Sequence, residues 1–266
     1  MSSLALALGD GAVVAKRNLI KIKRIPEVLI WTTMSPIMFV LLFGYVFGSS
    51  IEIPGVNYRE YLIAGVFAQT VVFGSTFTGA GLADDMTKGI IDRFRSLPMA
   101  QSAVLVGRTA SDIFYNSTSI FVMSMTGLVV GWRVRTSILE AIGGFLLLLL
   151  FSYAISWIMA YVGLKVSNVE VVNNASFMFI MPMTFIANTF VRSDALPGPL
   201  ETFAEWNPVS SVAQAAREAF GNTGGMPQPD AWSLDNPILY TIIWVGIILA
   251  IFVPLSVRQY KKAAAR

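Results

Sequence analysis

Residues 84–99 read DDMTKGIIDRFRSLPM, a short charged stretch lying between two long apolar runs. Wound as a helix, it places Ile90, Phe94 and Leu97 on one side and spreads Asp92, Arg93 and Arg95 over the remainder. Pro98 stops the helix, because proline lacks the amide hydrogen and clashes with the preceding turn. The pattern alone has two readings. It is either an amphipathic helix made to dock on another protein, or an ordinary interhelical loop whose basic residues follow the cytoplasmic bias of positive charge.

The surrounding chain settles the solvent. Of 266 residues, 55% are hydrophobic and only 13% charged, with a mean hydropathy of +0.65, the composition of an integral membrane protein. There is no cysteine and no histidine. That excludes thiol nucleophiles, Cys/His zinc sites and imidazole acid–base chemistry within this chain. The net charge of +3 is small and unevenly placed; it speaks of orientation in a bilayer and gives no nucleic-acid footprint. Leu4–Leu8 is apolar but has no positive charge before it and is broken by Gly9-Asp10-Gly11, so no cleaved signal peptide is expected.

Six segments are long and apolar enough to cross a bilayer as helices: Val28–Phe47, Tyr61–Ala83, Ser102–Val130, Ile138–Val162, Val171–Phe190 and Pro237–Val257. An even number puts both termini on one side. Most Lys and Arg fall in the N-terminal segment, the 84–101 loop, Lys165 and the tail from Arg258 to Arg266, which makes that side cytoplasmic. Arg133 and Arg135, in a short outer loop, are mild exceptions. The expected organisation is one all-α membrane domain: residues 1–27 a cytoplasmic or interfacial segment, 28–257 a six-span core, 258–266 a cytoplasmic tail.

Residues 12–25 mix Lys16, Arg17, Lys21, Lys23 and Arg24 with aliphatic side chains. They suit a helix on the inner leaflet among anionic headgroups, or a basic flank that merely orients the first span. Arg108 and Asp112 stand one turn apart near the inner end of the third span and are expected to pair. Asp112 and Asn116, a turn further on, read either as part of a translocation path or as helix–helix hydrogen bonding. Gly44-x-x-x-Gly48 and Gly127-x-x-x-Gly131 match the small-residue packing motif. Between the last two spans, Leu200–Trp206 and Ser210–Phe220 read as short helices, with Ser210 as the N-cap of the second. Val212, Ala213, Ala216 and Phe220 share one face of that helix, and Gln214, Arg217 and Glu218 the other.

Four stretches carry a resemblance: GIIDRFRSLPM, its continuation AVLVGRTASD to Asp112, the corner Gly131-Trp132-Arg133, and FAEWNPVSSVAQAAREAF. Together they resemble the ABC-2 class of ABC-transporter permeases, nearest to the daunorubicin-resistance type of drug and lipid exporters. The resemblance implies that the 84–99 loop is a coupling helix docking on an ATP-binding subunit through Ile90, Ile91, Asp92, Arg93, Phe94, Arg95 and Leu97. It implies that residues 12–25 form a connecting helix that also touches that subunit. It further implies that the helices between the last two spans re-enter the membrane near an outer gate, with Phe203, Trp206 and Phe220 as candidates; Phe203 and Trp206 also suit plain interfacial anchors.

The chain has no Gly-x-x-x-x-Gly-Lys-Ser/Thr loop, since Gly9–Gly11 and Gly221–Gly225 lack the lysine. ATP and Mg are therefore expected in a separate P-loop subunit, this chain holding no cofactor or metal. Two ATP-binding copies are expected to pair with two permease copies, alike or related, in a bacterial cell membrane. The expected cargo is a hydrophobic or amphipathic drug or lipid moved outward, with a lipid-linked polysaccharide as the alternative. An ion-coupled secondary transporter would need titratable groups at the bilayer midplane, and only Asp112 approaches that.

Overall fold

The computed structural model describes residues 10–18, 20, 26–47, 51, 53–95, 103–166, 168–227 and 229–263. Among these, every regular element is a helix, and the one β contact is an isolated bridge between Ile53 and Val56. Lipid offers no partner for a backbone amide, so an apolar chain must satisfy its hydrogen bonds within each segment.

Helix α1 covers residues 10–18. α2 (Pro26–Leu41) runs into a π-helical turn, Leu42–Phe47, and α3 (Tyr58–Gly74) and α4 (Thr76–Thr87) follow. The short α5 (Ile90–Arg95) precedes the long α6 (Ala103–Val130) and α7 (Ile138–Lys165). Then come α8 (Val169–Phe185), α9 (Gly198–Glu205), α10 (Pro208–Phe220), the single turn α11 (Trp232–Asp235) and α12 (Pro237–Ala263).

Among the described residues, four stretches are long and apolar enough to cross a membrane: Tyr58–Thr87, Ala103–Val130, Ile138–Lys165 and Pro237–Lys262, of 30, 28, 28 and 26 residues. At 1.5 Å per residue they reach about 39–45 Å. α2 and its π turn, Pro26–Phe47, are helical over the whole first expected span, whereas the fifth is shorter, α8 ending at Phe185 instead of continuing to Phe190. The reason for that early end is visible: Asn207 Nδ2 donates to the carbonyls of Met183 (2.7 Å) and Ile186 (3.4 Å), and the Asn188 amide donates to Ser210 Oγ (3.0 Å). Helix α10 thus takes up the groups that a longer α8 would have satisfied itself.

The expected second span is interrupted at Ser75, whose hydroxyl lies 2.8 Å from the Val71 carbonyl and 3.0 Å from that of Ser152 on α7. Beyond Ser75, α4 and α7 touch backbone to backbone: a Cβ on Gly163 would stand 2.2 Å from the Gly79 carbonyl oxygen. Gly65 meets Thr189 the same way, at 2.2 Å. These glycines let helices approach closely where no hydrophobic force drives them together. The described glycines of the two sequence motifs make no such backbone contact. Gly48 lies outside the described residues; Gly44 meets only side-chain atoms, and Gly131 turns the chain at φ +108° with nothing within 4 Å.

Tyr58–Thr87 is the interior helix, 83% of its apolar window being buried, against 39% for α6 and α7 and 22% for α12. The outward faces of α6, α8 and α12 present Phe121, Phe179 and Ile242. At the α10 end an aromatic cluster closes the bundle, with Phe220 centroids 5.3 Å from Trp132, 4.8 Å from Phe145 and 5.8 Å from Phe67. Trp132 Nε1 donates to Asn222 Oδ1 at 2.7 Å. Arg135 of the short loop is explained by a partner, its Nη2 lying 2.7 Å from Oε1 of the buried Glu60.

Two expectations for α10 are corrected. The N-cap is Asn207, whose Oδ1 accepts from the Val209 amide (2.9 Å), and not Ser210. Arg217 is not on a solvated face. It is fully buried, with Nε donating to the Tyr61 carbonyl (3.1 Å), Nη2 to that of Asn188 (2.5 Å), and its guanidinium 3.6 Å from the Tyr61 ring centre.

Replacing Gly163 by leucine should force α4 and α7 apart, at no less than the ~1–3 kcal/mol typical of overpacking. The expected outcome is a thermal midpoint lowered by several degrees in detergent. Gly143→Leu, which meets nothing within 4 Å, should leave the midpoint unchanged.

Candidate functional site

At one end of the bundle, α4 finishes with Lys88 paired to Asp84 at 2.8 Å, one turn back. Gly89 follows at φ +64°, a left-handed turn that glycine adopts without strain, and α5 begins. The helix is anchored by Ile91, only 2% exposed, in a cluster with Leu82, Val104, Leu105, Trp157 and Tyr260. Phe94 packs against the edge of the same cluster, under the Arg17 guanidinium at 5.1 Å. The expected docking set is therefore divided. Ile91 faces inward, Phe94 and Ile90 are half-buried, and Asp92 and Arg93 are exposed. Leu97, Pro98 and Met99 lie outside the described residues, as does the Arg95 side chain.

Helix α1 is packed onto the protein as well as facing away from it. Arg17 Nη2 lies 3.0 and 2.8 Å from the two carboxylate oxygens of Asp85, itself 4% exposed. Asn18 Nδ2 donates to Ser111 Oγ at 3.2 Å, and a Cβ on Gly107 would meet the Gly11 carbonyl at 2.5 Å. Its other face carries Val13, 67% exposed, and beyond the helix Ile20 is 44% exposed, which suits contact with an apolar medium. The basic residues from Lys21 to Arg24 lie outside the described residues. Arg17 thus grips both the end of α4 and the ring of α5. Sequence reasoning missed this, since the two charges stand 68 residues apart and each sits in its own charged group.

Toward the middle of the bundle is a cavity of about 460 Å³. Its walls come from α2, α3, α4, α6 and α8, chiefly Phe39, Phe73, Phe77, Tyr115, Phe177 and Met181. Gln69 and Ser119 are among the polar groups in it, and Gln69 Nε2 is buried with no hydrogen-bond acceptor. Sequence reasoning missed this set too. The available signal was the i, i+4, i+8 recurrence of Gln69, Phe73 and Phe77 on one helical stripe.

Asp112 and Asn116 do not line that cavity. Asn116 Nδ2 donates to Ser152 Oγ on α7 at 2.7 Å. Asp112 is 4% exposed with Oδ2 unpartnered, and no ion pair to Arg108 forms among the described residues. Arg108 reaches instead across to α4, Nη2 donating to the Phe77 carbonyl at 2.5 Å. The three gate candidates are also not brought together. Phe203 and Trp206 are 47% and 49% exposed, Trp206 standing 5.9 Å from Tyr240, while Phe220 is buried in the aromatic cluster.

Residues 12–220 match the family described as ABC-2 type transporter. The chain is 32% identical over 249 residues to a daunorubicin resistance ABC transporter permease of Streptomyces coeruleorubidus, covering 94% of this chain and 85% of the relative. It is 24% identical over 231 residues to a probable doxorubicin resistance ABC transporter permease of Mycobacterium tuberculosis, covering 86% and 80%. A putative transport permease of Cyanophora paradoxa is 22% identical over 257 residues, covering 94% and 87%.

Reversing the Arg17 charge, as Arg17→Glu, should repel Asp85 and free the α4–α5 junction. Limited trypsinolysis at Lys88 is expected to accelerate severalfold, and Asp85→Arg added to Arg17→Glu should restore the native rate.

Proposed function

The chain belongs to the ABC-2 type transporter family, and we propose that it is the membrane-spanning half of an exporter that moves amphipathic, drug-like or lipid molecules outward. Chains of this family are permeases, transport subunits whose ATPase activity resides in a separate partner. In the proposed assembly two permease copies, alike or related, pair with two P-loop subunits. α2 with its π turn and α8 complete six crossings, the basic residues put α5 and both termini in the cytoplasm, and α9 and α10 face outward.

The observation that carries this reading is the mechanical continuity from α5 to the cavity. Ile91 fastens α5 to a cluster containing Leu82 of α4 and Leu105 of α6, and Arg17 fastens it to Asp85. α4 in turn carries Thr76 and Phe77 of the cavity wall. A push on the exposed Asp92–Arg93 surface therefore moves a packed body, and the helix break at Ser75 is where that body meets the wall of the cavity. ATP binding has to favour one arrangement over the other for such a push to do work.

Cargo chemistry follows from the cavity. About 460 Å³ lies within the range of drug-sized sites. Its aromatic lining with few polar groups suits an apolar ring system better than a sugar chain, which supports a drug or lipid over a polysaccharide. The names of the daunorubicin and doxorubicin resistance relatives point the same way.

The test is to purify the tagged chain from its native membrane and identify what comes with it. A P-loop ATPase is expected. Ile90→Asp combined with Arg93→Glu should cut its recovery at least roughly ten-fold, about 1.4 kcal/mol of docking, with the permease still monodisperse. Absence of any ATPase from the folded native chain would overturn the reading. Phe73→Ala should weaken export severalfold while leaving ATPase recovery intact.

A further inference from the structure

Helix α6 carries two charged side chains one turn apart, Arg108 and Asp112, and neither satisfies the other. Arg108 Nη2 donates to the Phe77 carbonyl of α4 at 2.5 Å, while its Nε is buried with no acceptor. Asp112 is 4% exposed and its Oδ2 accepts from nothing. A guanidinium donor and a carboxyl acceptor, each unsatisfied, thus stand about 6 Å apart along one helix axis, the spacing at which such groups pair. Leaving both unmade is costly in a buried setting.

What holds them apart is a seat on α4. A Cβ on Gly81 would overlap the Arg108 guanidinium, so the guanidinium occupies a notch that only glycine leaves open. The seat bears on the aromatic cavity, since Phe77 is in its wall and its ring stands 4.9 Å from that of Tyr115 on α6. A second seat is also built. Asn116 Nδ2 donates to Ser152 Oγ of α7 at 2.7 Å. One turn inward the antiparallel register of α6 and α7 sets Asp112 opposite Ser156, whose Oγ has no partner. No Lys or Arg forms an ion pair with Asp112 among the described residues.

We propose that Arg108 is a two-position latch between α6 and α4, seated on the Phe77 carbonyl in the present arrangement and on the Asp112 carboxylate once α4 moves. Arg108 is then a positioning residue for Phe77, and its transfer releases one wall of the cavity. The inference rests on the exporter reading for what moves α4. A charge-assisted pair is stronger than a bond to a neutral carbonyl, so the second seat offsets loss of the first. Without it, withdrawal of α4 would strand a buried guanidinium.

The first test needs no nucleotide. Gly81→Ala puts a methyl group where only the far end of the Arg108 side chain must give way, so it evicts the guanidinium and leaves the α4 backbone in place. Thermal midpoints of the full-length chain in nanodiscs are compared across a double-mutant cycle. Asp112→Asn is expected to lower the midpoint by several degrees more in the Gly81→Ala background than in the native one, and Arg108→Gln should erase that difference. Additive effects of the two changes would overturn the latch.

The second test reads the cavity wall. Because the chain has no cysteine, Thr76→Cys gives it a single thiol beside Phe77. The variant is reconstituted with its copurifying ATPase and labelled with methyl methanethiosulfonate, and the permease mass is followed with and without ATP and vanadate. A severalfold difference in labelling rate is expected, which Asp112→Asn should abolish and Asp112→Glu should keep. A packing role alone for Asp112 leaves that difference intact in Asp112→Asn, and this result also overturns the latch. Non-additive midpoints with no copurifying ATPase sink the exporter reading alone, whereas additive midpoints with a nucleotide-dependent rate sink the latch alone.

Discussion

Arg217 lies wholly inside the protein, stacked 3.6 Å from the Tyr61 ring centre and donating to carbonyls on α3 and on the turn after α8. A charge in such surroundings persists only when dipoles and a ring face replace its water. Those partners come from two separate segments, so holding one guanidinium fixes α10 against α3 and against the end of α8 together. Around that point the neighbouring arrangements follow. α8 ends where Asn207 and Ser210 of the α10 segment take over its polar groups, and Phe220 closes the aromatic cluster.

The opposite end is organised by apolar burial and one ion pair. Ile91 sits in a cluster of Leu82, Leu105 and Trp157, while Arg17 spans from Asp85 to Phe94. Partly buried charge pairs of this kind hold orientation more than they add stability. The short α5 therefore has a fixed attitude relative to α4 and α6, although six residues alone are too few for a stable helix in water.

Between the two ends, glycine contacts set how far the helices can separate. The Gly79–Gly163 and Gly65–Thr189 approaches leave no side chain to absorb a shift, so α4 against α7 and α3 against the α8 turn move as packed pairs or not at all. The aromatic cavity lies where α2, α6 and α8 meet this rigid spine. Its position explains why the helix break at Ser75 matters: the residues on either side, Gly74 and Thr76, are part of its wall.

The sequence by itself determined the solvent, the helical class and the permease family, because hydropathy over long windows and a few local motifs are properties of contiguous residues. It also located α5, α9 and α10 to within a few positions, since proline, asparagine and glycine punctuate helices locally. The first expected span is helical throughout and the fifth stops at Phe185, since where a helix ends depends on which of its polar groups a neighbouring segment satisfies. The tertiary structure alone decided that Arg217 is buried and not solvated, that Ile91 anchors while Asp92 and Arg93 remain exposed, and that Arg108 turns to Phe77 in place of Asp112. It alone brought Arg17 to Asp85, and Gln69 and Phe73 to Phe177. The physical reason is common to these cases. A helical wheel says which residues share a face, but the environment of that face is set by partners tens to more than a hundred residues away.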